Sequence, residues 1–370
     1  MLQARIKDIF LSLVRLGIGT SSDDRISSQD GFKSADWSVI EALASQHGLS
    51  GVVLDGIDLL VRDKRLPAEL AMDDMMKKQW IGQVLQGYEY RYELYRRTLG
   101  EMAAFYNKHG FKMMVLKGYA CSLDWPKPEH RPSGDIDIWL FGRCREADEV
   151  LAKEKKVEVD NSHHHHTVYY WNDFMVENHY DFINVHHHKS HAEFEKIFKE
   201  LGADDSYSVN IRSEKVYLPS PNLHALFLLK HTMMHFAAES ISLRQLLDWA
   251  FFVRAHGSEV DWVWLEGVLV QFGMKRLYDV FNAICVEDLG FEVGLFPRIQ
   301  FDPILKERVL AEILEPDFSG ELPRTLLRRS FYKLRRWRRN AWKHKLCYKD
   351  SLWSAFWTGV WGHLIKPSSI

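Results

Sequence analysis

The sequence predicts an α+β protein, with a mixed sheet held between an N-terminal and a C-terminal helical region. Three observations lead there. Apolar residues recur at helical spacing up to about residue 109 and again from about residue 219. Between those limits the chain switches to short strand-like runs separated by turns. Its 370 residues, 46% hydrophobic and 26% charged, supply ample core and exclude a disordered, collagen-like or disulfide-stapled chain.

The first region, residues 1–109, opens on Ile6, Ile9, Phe10, Leu13 and Leu16 at helical spacing, closed by Gly17 and Gly19. A second amphipathic stretch covers 37–47. A proline-free one covers 72–109 and ends at Lys108-His109-Gly110. The central unit, 110–218, starts with an apolar run over 111–116, then Lys117-Gly118, a helix-like stretch and a proline-rich loop over 125–132. From Ser133 to Leu140, polar and apolar residues alternate with the period of a half-buried strand. A helix is expected over 145–155, and strands over 167–171 and 174–184. The third region, 219–370, begins at Ser220-Pro221, a cap followed by a first-turn proline. It predicts helices over 223–236, 242–255, 261–272 and 275–286.

Lys and Arg number 48 against 50 Asp and Glu, a net charge of −2, so attraction to nucleic acid or membrane has to come from a local patch. Cys121, Cys144, Cys285 and Cys347 are far apart and form no CxxC, which argues against a zinc ribbon or thioredoxin-like motif. The N-terminus carries Arg5, Lys7 and Asp8 where a signal peptide is apolar, and no run of about 18 apolar residues follows. A cytoplasmic chain without a transmembrane segment is expected.

Asp135-Ile136-Asp137 is the strongest chemical signal. Two carboxylates two residues apart on a strand project the same way, about 6–7 Å apart along the backbone. They repel each other unless positive charge lies between them, and a hard divalent ion that also binds phosphate provides it. Lys117-Gly118 and Ser133-Gly134 precede the pair, and glycines there let backbone N–H groups approach phosphate oxygens. Glu177, in Val176-Glu177-Asn178-His179, lies on a second run able to pair beside the first, with His179 pointing the same way. Three carboxylates on neighbouring strands suit two-metal phosphoryl transfer, and a solvated Asp-x-Asp is the plain alternative. Asp181 and Asp173, four residues to either side of Glu177, compete for the third place.

These residues resemble a known family. Leu116-Lys117-Gly118, Arg131-Pro132-Ser133-Gly134-Asp135-Ile136-Asp137-Ile138 and Val176-Glu177-Asn178-His179-Tyr180 look like the signature of the uncharacterised bacterial nucleotidyltransferases of the DNA polymerase beta-like superfamily. The likeness continues into His231, His235, Leu243-Arg244, Leu247-Asp248 and Asp261-Trp262. It implies a nucleotidyltransferase-type mixed sheet and an enzyme that moves a nucleoside monophosphate from an NTP to an acceptor, with Mg²⁺ or, in its place, Mn²⁺. Asp135, Asp137 and Glu177 would be catalytic and hold the metal, with Glu177 also helping to deprotonate the acceptor. Lys117, Gly118, Arg131, Ser133, Gly134, His179 and His235 would bind the nucleotide. The acceptor class, whether small molecule, protein or RNA, stays open. A degenerate core that only binds nucleotide or RNA is the alternative. The superfamily usually shows serine after the glycine, whereas Tyr119 follows Gly118 here, with Ser133 as a substitute.

The 18 histidines cluster at 163–166, 179, 186–188 and 191. Zinc on these imidazoles, in a histidine-dependent metal protein, is a third reading. Consecutive histidines on an extended strand point to opposite faces, so at most half would share one metal. His231 and His235, with His224 near their stripe, form either a satisfied core face or a helix bordering the nucleotide cleft. Arg244 and Asp248 read as a surface i,i+4 ion pair. Residues 324–345 hold ten Lys or Arg and no carboxylate, with Leu327, Phe331, Leu334, Trp337 and Ala341 at helical spacing. Such a basic amphipathic helix docks on its own core or meets an anionic partner: RNA, an anionic acceptor or a membrane surface. Trp353, Phe356, Trp357 and Trp361 follow in a stretch too short to span a bilayer.

Overall fold

A computed structural model describes residues 4–22, 36–66, 70–316 and 325–365. Residues 1–3, Arg324 and the side chains of Leu327, Phe331 and Trp361 lie outside the described residues. The chain opens with α1 (Ala4–Ile18), α2 (Trp37–Gln46) and α3 (Ser50–Arg62). The apolar spacing anticipates the first two but not α3, which contains Gly51 and Gly56. They are there for packing. A Cβ on Gly56 would lie 2.2 Å from the Leu13 carbonyl oxygen, and one on Gly17 1.9 Å from that of Val52. Backbone therefore touches backbone between α1 and α3, which only glycine permits. The proline-free run 72–109 is two helices, α4 (Asp74–Val84) and α5 (Arg91–Lys108), joined by a π-helical turn over Leu85–Tyr90.

One mixed sheet follows, built from β1 (Met114–Val115), β2 (Ile136–Trp139), β3 (His166–Trp171), β4 (Phe174–His179), β5 (Ser208–Ile211) and β6 (Glu214–Tyr217). The order is β3-β4-β2-β1-β6-β5. β2 runs parallel to β4 and β1 parallel to β6, and the other neighbours are antiparallel. Interspersed are α6 (Tyr119–Ser122), α7 (Cys144–Lys155) and α8 (His191–Leu201). Period two sorts the side chains: Ile136, Ile138, Phe174 and Val176 share a core with Leu99 and Met102 of α5 and Leu151 of α7. Asp137 and Glu177 are thereby turned to the opposite face.

The strand expected over 174–184 stops at His179. The Tyr180 and Asp181 amides turn back to the His165 carbonyl, each at 3.0 Å. Those of Phe182 and Ile183 donate to the two carboxylate oxygens of Glu195 on α8, at 2.9 and 3.0 Å. The β5–β6 hairpin escapes sequence reading because its turn residues, Arg212 and Ser213, adopt positive φ without the usual glycine or asparagine.

The remainder is helical: α9 (Pro221–Ala238), α10 (Leu243–His256), α11 (Trp262–Gln271), α12 (Lys275–Glu287), α13 (Pro303–Leu314), α14 (Leu326–Arg339), α15 (Ala341–Cys347) and α16 (Leu352–Ile365). Ser220 precedes α9 but makes no side-chain capping bond, whereas Ser242 and Gln245 form a capping box at α10. A large core joins α9–α13 and α15 to α1–α3 and to the sheet face bearing Trp139. The basic helix is α14, where Leu334 is 57% exposed and Trp337 packs on Trp353 and Phe356 of α16. Among the described residues no helix is long and apolar enough to cross a membrane.

Candidate functional site

Strand register assembles the site. Parallel pairing sets Asp137 opposite Glu177 and Trp139 opposite His179, and the antiparallel β3 brings His166 opposite His179. The sheet face, α9 and α10 enclose a cleft of about 490 Å³ lined by these residues with Lys117, Asp135, His235 and Arg244. That volume lies in the range of small-molecule sites. A cavity of about 540 Å³ beside Ala283, Val286 and Phe296 gathers none of these groups.

Asp137 is only 2% exposed. Its Oδ1 accepts from Lys117 Nζ at 2.8 Å and lies 3.1 Å from His179 Nε2. Burial pushes this carboxyl up, but Lys117 and His179 more than offset it and hold it well below the usual carboxylate range. Burial also works against the Lys117 ammonium, and Asp137, Asp135 and Glu177 overcome it, so Lys117 stays charged. Lys117 Nζ reaches His231 Nε2 at 2.9 Å, which lies 3.2 Å from His235 Nε2. Burial followed by Lys117 pushes both imidazoles down, and they are neutral. Glu177 behaves oppositely to Asp137: burial and the Asp137 charge push it up to about 7. Its Oε2 sits 3.7 Å from His179 Nε2 and 3.8 Å from His166 Nδ1.

Asp135 is exposed where the loop enters β2 and lines the cleft, as does Gly134. Gly118 has φ +52°, and a Cβ there would lie 2.3 Å from the Tyr95 hydroxyl. That hydroxyl donates to the Asp135 carbonyl at 3.1 Å, so the glycine lets α5 fix the loop that carries the first aspartate. Ser133 is not among the lining residues, and its carbonyl accepts from Arg91 Nε at 3.0 Å. Asp181 pairs with Lys199, and Asp173 sits in the β3–β4 turn at the far end of the strands. Of the three carboxylates weighed for the third place, Glu177 alone lines the cleft.

Arg131 lines the cleft too, but its guanidinium is engaged. Nε and Nη2 grip Asp248 at 2.7 and 2.9 Å, and Trp125 Nε1 donates to the same carboxylate at 2.9 Å. The expected surface pair of Arg244 with Asp248 is therefore not formed, because both partners face inward on α10. Arg244 makes no ion pair among the described residues, and its buried Nε has no hydrogen-bond partner. It is a half-buried cation on the cleft wall. The signal for it was available: α10 is apolar around most of its circumference, so its few polar side chains are buried by default.

The histidines divide. His224 packs against Cys121 and Phe252, away from the carboxylates. His188 and His191 gather near Tyr348. His165 and His166, expected on opposite faces, both line the cleft, because 163–165 form a bend and strand alternation starts only at His166. Donor atoms of His165, His166 and His179 lie within 4.8 Å of one another, as do those of Asp137, Glu177 and His179.

The sequence profile of the family described as "Uncharacterised nucleotidyltransferase" matches residues 33–287. Among solved structures, that of an antigenic nucleotidyltransferase-like protein from Paracoccidioides brasiliensis is similar at 14% identity and a TM-score of 0.31. The match covers 43% of this chain and 75% of that one. No curated protein matches the chain.

Proposed function

As this chain belongs to the uncharacterised nucleotidyltransferase family, we propose that it moves a nucleoside monophosphate from an NTP to an acceptor bound in the cleft between sheet and α9. The observation that carries this reading is the parallel pairing of β2 with β4, which sets Asp137 opposite Glu177 in a cleft shared with Asp135, Lys117 and Arg244. The donor set is rich in carboxylate oxygen and suits a hard dication, Mg²⁺ or Mn²⁺, held by Asp135, Asp137 and Glu177. When bound, such an ion neutralises triphosphate charge and polarises the phosphoryl oxygens.

Lys117 and Arg244 contribute the protein's own positive charge toward the phosphates. Glu177, poised near neutrality, takes the proton of the acceptor hydroxyl. The freed oxygen bonds to the α-phosphorus while the bond to the bridging oxygen breaks, and pyrophosphate leaves with that electron pair. The test is calorimetric titration of each NTP, with and without Mg²⁺, on wild type and on Asp135→Ala/Asp137→Ala. Mg²⁺-dependent binding lost in the double variant supports the reading, and equal binding by the two proteins refutes it.

The direct Lys117–Asp137 ion pair, at 2.8 Å, favours a second reading. In it the ammonium stands where a catalytic cation would, and the core binds nucleotide or RNA without turnover. Tight NTP binding that ignores Mg²⁺, with no pyrophosphate release against any acceptor, would select it.

A further inference from the structure

We propose that His165, His166 and His179, with Glu177 in reach as a fourth donor, form a second metal site, built for a transition-metal dication such as Zn²⁺ or Co²⁺ rather than for Mg²⁺. One donor atom from each of the three imidazoles falls within 4.8 Å of the others. The buried Nδ1 atoms of His165 and His166 have no hydrogen-bond partner, which calls for a ligand. Glu177 Oε2 lies 3.8 Å from His166 Nδ1 and 3.7 Å from His179 Nε2, so a small shift of its side chain completes the set.

The surrounding backbone holds these donors in place. His179 Nδ1 donates to the Asp181 carbonyl at 3.2 Å, which fixes the tautomer that leaves Nε2 as the ligating atom. The Tyr180 and Asp181 amides both bond the His165 carbonyl at 3.0 Å, tying the 163–165 bend to the end of β4. The imidazoles are also in the ligating form: burial, then His179, keeps His165 near 2 and His166 near 3, so both are neutral at physiological pH.

Ligand chemistry separates this site from the carboxylate centre beside it. Imidazole nitrogens suit zinc-like ions, whereas Mg²⁺ prefers oxygen and surrenders its water reluctantly. His179 and, as the fourth donor, Glu177 are common to both donor groups. Occupancy of the histidine site draws the His179 Nε2 from Asp137, whose charge then falls to Lys117 and the hard cation. With Glu177 engaged the four protein ligands close a tetrahedron, as in a structural zinc site, and with its carboxylate withdrawn the three nitrogens leave one position open, as in a catalytic one. The alternative is imidazole packing alone, with His163 stacked on His166 and His165 against its edge.

The test uses the full chain without an affinity tag, stripped with chelator and titrated with Co²⁺ in excess Mg²⁺. The readouts are calorimetric stoichiometry and visible d–d absorption. One equivalent with the intense bands of low coordination is expected. His165→Ala/His166→Ala should weaken binding by more than the roughly 10–100-fold that loss of an outer-shell partner costs. Asp135→Asn and His163→Ala/His164→Ala should leave it unchanged. If the double variant melts early, His166→Gln is read in the same way. Absence of stoichiometric Co²⁺ binding, or equal binding after loss of His165 and His166, overturns the proposal. NTP binding in Mg²⁺, followed on the same samples, reports on the nucleotidyltransferase reading separately, and its failure would leave the Co²⁺ result standing.

Discussion

At Asp137 one buried carboxylate meets the Lys117 ammonium and the His179 imidazole, while its neighbour across the sheet, Glu177, is left short of positive charge. Two acids on one face are thereby pushed apart, Asp137 to a permanent anion and Glu177 to about 7. A base that is protonated below that value works only above it. We therefore expect kcat/KM for pyrophosphate release to fall about tenfold per pH unit below neutrality. Glu177→Gln should lower the rate and remove that limb, and a limb that survives the substitution would exclude Glu177 as the base. Lys117 competes with a dication for the same Asp137 oxygen. Lys117→Met leaves the buried Asp137 charge to His179 alone, and loss of a buried partner costs up to about 3–5 kcal/mol. Its melting temperature should be depressed and then largely restored by Mg²⁺, with a larger Mg²⁺-induced rise than wild type shows. If Mg²⁺ rescues neither, the dication does not bind at Asp137.

Helix α10 carries two side chains one turn apart with opposite duties, and substitution separates them. Asp248 neutralises Arg131 and receives Trp125, so Asp248→Ala should destabilise the fold by about 3–5 kcal/mol in urea unfolding. Arg244 supports nothing of the kind. Arg244→Ala should keep the melting temperature and raise KM for NTP, and the reverse pattern would make it a structural residue. Spacing alone did not show this division, because i,i+4 says that two residues share a helix face but not whether that face is wet, and only the apolar circumference of α10 told that it is dry. Local periodicity was readable elsewhere. The alternation through Asp135-Ile136-Asp137 marks the strand and turns Asp137 away from the core face, although Asp135 itself lies in the loop before β2. The partnership of Asp137 with Glu177 needed β4 to lie parallel to β2, a long-range pairing that the residues permit but do not state. Elements that depend on non-local geometry were lost for definite reasons. α3 holds two glycines, of which Gly56 packs on α1 and Gly51 on His130, β5 and β6 turn through Arg212-Ser213, and His165 lies in the bend before strand alternation begins at His166.

Buried imidazoles sit at the joints between the helical regions and the rest of the molecule. His47, between α2 and α3, accepts the backbone amide of Leu243 on α10 through Nδ1 at 3.3 Å. His224 of α9 packs between Cys121 of α6 and Phe252 of α10. His188 and His191, at the start of α8, lie against Tyr348 beyond α15. Burial lowers all four: His47 to about 4, His224 to about 3, His188 to about 2 and His191 further. The unfolded chain binds their protons below about 6.5 and the folded one does not, so stability present above that value is lost as pH falls. Each such group removes about 1.4 kcal/mol per pH unit in that window. Glu177 and Glu195, raised by burial to about 7, act in the other direction, with stability present below 4.5 and lost as pH rises through 7. Four imidazoles outweigh two carboxylates, and a whole-molecule stability is on the order of 5–15 kcal/mol. Above neutrality the urea midpoint should ease down toward pH 9, as His256, raised to about 9 by its hydrogen bonds to Asp124 and Glu259, gives up its proton. It should drop steeply between about pH 6.5 and about pH 5, earlier than carboxylate titration alone would bring it down. His47→Gln, which keeps an acceptor for the Leu243 amide without a group that titrates, should make that slope shallower. A midpoint flat to about pH 4.5 would mean that these joints open to water and that the imidazoles titrate normally.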